Sequence, residues 1–154
     1  MTPAEPRPVA RRVRIAQWTR IALVLMALGL IAVFTIAAWI HPYDAAGNAR
    51  TMATHMQLGM PPCSMIALIG KPCPSCGMTT SFALLMHGDV MNSLRANWVG
   101  TLLALAWLAL IPWGIVSAVR SRFVGVRNLE LAFGVAVGVL LTLMLIRWAF
   151  VLLL

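Results

Sequence analysis

A chain of 154 residues in which 61% are hydrophobic and 10% charged, with a mean hydropathy of +0.89, carries more apolar surface than a soluble domain of that size can bury. It reads as an all-α integral membrane protein with three transmembrane helices and a long outer loop holding two or three short interfacial or re-entrant helices. The formal net charge of +8 does not point to nucleic acid: eight of the twelve basic residues fall in two segments beside apolar stretches, where their partner is the anionic surface of the lipid bilayer.

In chain order, residues 1–20 form a basic tail carrying Arg7, Arg11, Arg12, Arg14 and Arg20. Residues 21–40 are uninterruptedly apolar and match the roughly 20 helical residues that cross a hydrocarbon core. A secretory signal core is shorter, about 7 to 15 residues, so a cleaved leader is the lesser reading of this stretch. Residues 41–97 form the long loop, and residues 98–119 a second span in which Pro112 can introduce a kink. Residues 120–128 are a basic turn with Arg120, Arg122 and Arg127, and residues 129–154 form the third span.

Short loops rich in arginine stay in the cytoplasm. Both basic segments therefore belong inside, and the 41–97 loop, with only Arg50, Lys71 and Arg95, belongs on the periplasmic or extracellular side of a bacterial inner membrane. Trp18, Trp39, Trp98 and Trp148 fall at the expected headgroup levels. Arg147, about one membrane thickness beyond Leu129, reads as a side chain reaching the outer headgroups. Gly134 and Gly138 have the small-xxx-small spacing that lets helices approach closely, which suits a homo-oligomer or a membrane protein partner.

All three cysteines, all three histidines and seven of the ten methionines lie in the 41–97 loop, so any chemistry is expected there. Asn48 to Pro62 reads as a short helix stopped by Gly59 and the Pro61–Pro62 pair, with Met52, Met56 and Met60 on one face. The apolar patch CSMIALIG is too short to cross a membrane and rests at the interface or dips in and returns. Next comes Cys73-Pro74-Ser75-Cys76-Gly77. Proline suits the first position of a helix, so Pro74 is expected to start one with Cys73 as its cap. That helix runs to about His87, and Gly88 stops it. Both thiols then sit in its first turn, where backbone dipoles favour thiolate, with Cys73 the attacking sulfur and Cys76 the resolving one. Asp89 caps a following short helix that runs into the second span.

Three functions suit this set. The first is a structural or accessory subunit of a membrane complex, with the cysteines packed or stapled. The second is thiol–disulfide exchange with Cys73 and Cys76 as catalytic pair, although the strand–helix alternation that normally carries such a motif is missing. The third is a soft-metal site, for copper(I) or zinc, built from Cys63, Cys73 and Cys76 with His55 or His87 as a fourth ligand and loop methionines near in sequence. No Ser-His-Asp set, phosphate-cradling glycine loop or carboxylate pair points to conventional enzymology.

The run Cys73 to Thr79, C-P-S-C-G-M-T, with Gly88-Asp89 and then Ala96-Asn97 ahead of a span, resembles the small bacterial membrane proteins grouped as domain of unknown function 2752. The resemblance covers roughly Cys63 to Val119. It implies an architecture and a motif, with Pro74, Gly77, Gly88 and Asp89 as structural positions, and no reaction. Relatives usually carry an arginine where this chain has Thr80 and a proline where it has Trp98.

Overall fold

A computed structural model describes residues 15–126 and 128–153. Arg7, Arg11, Arg12 and Arg14 of the basic tail, together with Arg127 and Leu154, lie outside the described residues.

The described chain is all-α. Three helices are long and apolar enough to cross a membrane: α1 (Gln17–Trp39), α4 (Val90–Val119) and α5 (Leu129–Leu153). Between α1 and α4 come a 3-10 helix (Thr54–Leu58), α2 (Ser64–Ile69) and α3 (Met78–Met86).

The core forms where α3 wedges between α1 and α4. Helix α1 buries Leu23, Ala27, Phe34 and Ala37 along one stripe, as helical periodicity requires. Phe34 stacks on Phe82 of α3 at 5.6 Å, and Phe82 meets Trp107 of α4 edge-on at 5.7 Å, both within the range of favourable aromatic pairs. Trp107 lies ten residues beyond Asn97, about 15 Å along a helix, so α3 is packed among the long helices rather than laid across their ends. At the opposite end of the bundle, Arg20 Nε donates to the Ala118 carbonyl at 2.9 Å and the Ile15 amide to the Ser121 carbonyl at 3.0 Å.

Sequence signals account for several helix ends. Gly88 (φ +79°) ends α3, with its amide donating to Leu85 O and that of Asp89 to Leu84 O at 3.0 and 2.9 Å, the paired bonds of a left-handed glycine cap. Asp89 caps α4 by accepting the Asn92 amide at 3.1 Å. Gly59 and Gly70, both at positive φ, end the 3-10 helix and α2.

Two expectations are corrected. The segment expected to be helical from Asn48 forms only the 3-10 helix at Thr54–Leu58, because Tyr43 and Ala49 pair in an isolated antiparallel bridge and the Asp44 carboxylate accepts the Ala46 and Asn48 amides. Helix α3 begins at Met78, not at Pro74. Residues 73–76 instead close a turn, Cys76 N to Cys73 O at 3.1 Å, and Gly77 then swings to φ +83° to cap the helix.

Of the three long helices, α5 alone buries no residue. From Leu129 to Val139 every position is exposed, and half-buried positions first occur at Leu140, recurring at 143–144, 147–148 and 151–152. That three-to-four spacing is one face, so only the second half of α5 leans on the rest of the chain.

Candidate three-cysteine site

The turn carrying Cys73 and Cys76 is held from beneath by α4. Asn97 breaks that helix with an extended backbone (φ −159°, ψ 97°) and is fully buried. Its Oδ1 accepts the Gly100 amide at 3.0 Å, capping the second half of α4, while its Nδ2 donates to the Cys76 carbonyl at 3.2 Å. One side chain thus restarts the long helix and anchors the cysteine turn.

Around Asn97 the interior is polar and satisfied. Ser93 Oγ donates to Ser81 O at 2.7 Å and lies 2.8 Å from Thr101 Oγ1. Thr54 and Thr80 pair through their hydroxyls at 3.0 Å, and both are buried. Thr80 is therefore committed to a neutral bond with the 3-10 helix. No buried side-chain nitrogen or oxygen among the described residues is left unpartnered, as low-dielectric interiors require.

Close backbone approach explains Gly77 and Gly100. A Cβ on Gly77 would lie 2.7 Å from Ala96 O and 2.8 Å from Thr51 O, and one on Gly100 would lie 2.5 Å from Ser81 Oγ. Gly77 is thus doubly constrained, by its positive φ and by the carbonyls around it.

The three cysteines converge on this turn. Cys63, immediately before α2, joins Cys73 and Cys76 so that all three sulfurs lie within 4.8 Å of one another, and all are free thiols and half-buried. Cys73 Sγ is 3.3 Å from Cys76 Sγ and 3.3 Å from Ser75 Oγ. Cys63, ten residues from the motif in sequence, is thereby a full member of the cluster.

Electrostatics distinguishes the sulfurs. The backbone amides of Ile66 and Cys73, with the Cys76 and Cys73 thiols, stabilise negative charge on Cys63 and lower its pKa to about 6. Burial, reinforced by its neighbouring thiols, pushes Cys76 up to about 12. The amide-stabilised sulfur is therefore Cys63, whereas the sequence pointed to Cys73, and the displaced start of α3 is the reason.

The other expected ligands lie elsewhere. His55 is turned to the Pro61 carbonyl, with Nε2 3.3 Å from that oxygen, and His87 Nδ1 sits 2.8 Å from Ala83 O at the end of α3. Among the described residues neither histidine nor any carboxylate joins the sulfur group. Met52, Met56 and Met60 are exposed.

Arg147 and Trp148 of α5 bind the same turn. The Arg147 guanidinium donates to Ala96 O at 3.0 Å and Pro74 O at 3.5 Å, and Trp148 Nε1 donates to Pro72 O at 3.0 Å. Lys71 Nζ adds a bond to Leu152 O at 3.3 Å. The arginine that reads as headgroup-directed is folded back onto the cysteine turn. Its sequence signal is an ionisable residue inside an apolar span, which by physical cost alone needs a partner. Asn97 has a fainter signal, a buried amide between two helical segments.

These features define a multi-pass helical membrane protein with a cysteine-bearing turn clamped between two of its long helices. Residues 63–111 match the model of the family described as Protein of unknown function (DUF2752), so the family resemblance holds over the segment that builds the site. No curated protein and no solved structure matches the chain.

Proposed function

We propose that the chain is a membrane-anchored binding site for a soft metal ion, held by the thiolates of Cys63, Cys73 and Cys76. The observation that carries this reading is the convergence of three sulfurs from separate segments to within 4.8 Å of one another. Metal–sulfur bonds of about 2.3 Å around one ion put sulfurs roughly 4 Å apart, so small side-chain movements close the set on an ion. Cys63, with a pKa of about 6, supplies one thiolate at neutral pH, and a bound cation offsets the cost of ionising the other two.

Three sulfurs without histidine or carboxylate favour copper(I), which accepts trigonal thiolate coordination and prefers soft donors. Zinc takes four ligands in structural sites, and here its fourth position would fall to solvent.

Thiol exchange is the second reading, supported by the 3.3 Å approach of Cys73 and Cys76. In it the two thiols release two protons and pass two electrons to the disulfide of a partner protein, which leaves as a dithiol while Cys73 and Cys76 become joined.

The distribution of arginine supports an orientation with the amino terminus in the cytoplasm and the cysteine turn at the outer face of a cell membrane. The exposed α5 face bearing Gly134 and Gly138 suits lipid, a second copy or a partner subunit, which would make the chain an accessory component of a larger assembly.

The experiment is anaerobic purification in detergent with elemental analysis, beside the Cys63→Ser, Cys73→Ser and Cys76→Ser variants. One copper per chain in the native protein, lost in each variant, is expected. Metal-free protein that cannot be loaded with copper(I) or zinc, and in which a Cys73–Cys76 disulfide forms and is reduced reversibly, selects exchange instead. A membrane-impermeant thiol reagent on intact cells checks the orientation; labelling confined to lysed cells would refute it.

A further inference from the structure

The contacts of α5 pose a question that the metal site alone does not answer. Its first half is exposed throughout, and its second half is sparsely packed on α4. Yet four side-chain bonds cross between α5 and the segment 71–96, and three of them end on the carbonyls of Pro72, Pro74 and Ala96. Pro72 and Pro74 flank Cys73 directly. The Cys76 carbonyl is held from the other side by Asn97.

A guanidinium is suited to this position. It presents donors in a planar fork, and here Nη2 reaches Ala96 O on α4 while Nη1 reaches Pro74 O on the turn. One cation therefore spans the seam between the helix that carries Asn97 and the loop that carries the thiols. Three thiolates around a monovalent ion carry a net charge of about −2, and in a low-dielectric setting a nearby fixed cation makes such a complex far less costly.

We propose that Arg147 is a positioning residue for the three-sulfur site, and that ion occupancy and docking of α5 strengthen one another. The inference rests on the metal-site reading. Its logic is linkage: α5 is held in part by the Pro72 and Pro74 carbonyls that flank Cys73, so a ligand that orders the turn stabilises α5 docking, and docked α5 improves the site by the same factor. Helix α5 is then an element whose seating reports whether the site is filled.

The test uses the full chain in detergent under anaerobic conditions, with copper(I) supplied from a chromophoric chelator. Arg147→Met should weaken copper(I) binding on the order of tenfold to a hundredfold. Arg147→Lys, which keeps the charge but reaches one carbonyl at a time, should recover part of that loss. Trp148→Phe, which keeps the ring and loses the bond to Pro72 O, should cost less than Arg147→Met, and these two variants carry the test if Arg147→Met does not fold. In protein labelled with 5-fluorotryptophan, the fluorine resonance of Trp148, assigned by its absence from Trp148→Phe, should move on copper(I) addition in the native chain and not in Arg147→Met. Undiminished affinity in Arg147→Met, or equal loss in the Met and Lys variants with a Trp148 resonance indifferent to copper, overturns the inference and leaves the metal site standing. Failure of the native chain to bind copper(I) or zinc overturns the metal site itself.

Discussion

The two halves of this molecule's polar and glycine chemistry are built on opposite terms. At the cysteine end, Gly77 and Gly100 are pressed against neighbouring atoms, and Ser81, Ser93, Asn97 and Thr101 are buried and bonded. In the first half of α5, Gly134 and Gly138 have nothing within 4 Å of where a side chain would start, and every residue is exposed. Apolar composition is common to both. Specificity therefore resides at the cysteine end, where neighbours determine which residue fits, while the start of α5 needs only to remain apolar and helical.

The sharpest way to break this contrast is Gly77→Ala. The substitution places a Cβ at φ +83° and within 2.8 Å of two carbonyl oxygens. Backbone strain of about 1–3 kcal/mol adds to a clash of similar size, so a loss of about 2–6 kcal/mol is expected in denaturant titration of the detergent-solubilised protein. Loss of copper(I) binding should accompany it, because the residue adjoins Cys76.

Next in size is the difference among the thiols. In metal-free protein at pH 7, Cys63, with a pKa of about 6, is largely thiolate, whereas Cys76, near 12, is almost wholly protonated. The lower nucleophilicity of a low-pKa thiolate offsets part of this advantage, leaving Cys63 faster on the order of a hundredfold. Since the Cys63 pKa is depressed, its rate should be flat above about pH 7 and fall as pH drops through 6. Peptide mapping after timed iodoacetamide treatment measures both; Cys76 reacting first would show that burial does not govern it.

That reversal also marks what the sequence could reveal. Hydropathy made the three long helices legible, and Gly88 and Asp89 announced a helix stop and start that the structure contains. Local signals sufficed there because the deciding interactions span only a few residues. They failed at Pro74, which is an acceptable first helical residue but here lies in a turn held by Trp148, Arg147 and Asn97. Those contacts span 21 to 76 residues, beyond the reach of any local rule. Cys63 was visible as a candidate, yet its closeness to the pair depends on how α2 folds back, which no local signal announces.

Asn97→Ala tests the same hidden layer more gently. It leaves the buried Gly100 amide and the Cys76 carbonyl without their partner, and each unsatisfied group costs about 1–3 kcal/mol, less whatever water or backbone movement recovers. A net loss of about 2 kcal/mol is expected in the same titration, with weaker copper(I) binding. Asn97→Asp should keep the Gly100 cap but turns a carboxylate oxygen toward the Cys76 carbonyl in a fully buried position, so it should be no more stable than the alanine variant and should bind copper(I) no better.

The smallest expected effect lies at the other pole. Gly138→Ala adds a methyl where no atom stands within 4 Å, on a helix that gains slightly from losing glycine, by about 0.5–1 kcal/mol at most. If α5 faces only lipid there, stability in detergent should be unchanged or raised by that amount, and copper(I) affinity unchanged. If Gly134 and Gly138 instead seat a second helix, the methyl would force that helix away. Gly138→Ala would then lower the assembled mass in sedimentation or native mass spectrometry while leaving the monomer's own stability intact. The two outcomes separate an open lipid face from an interface, because a side chain at 138 meets no other helix among the described residues and can disturb packing only with something else.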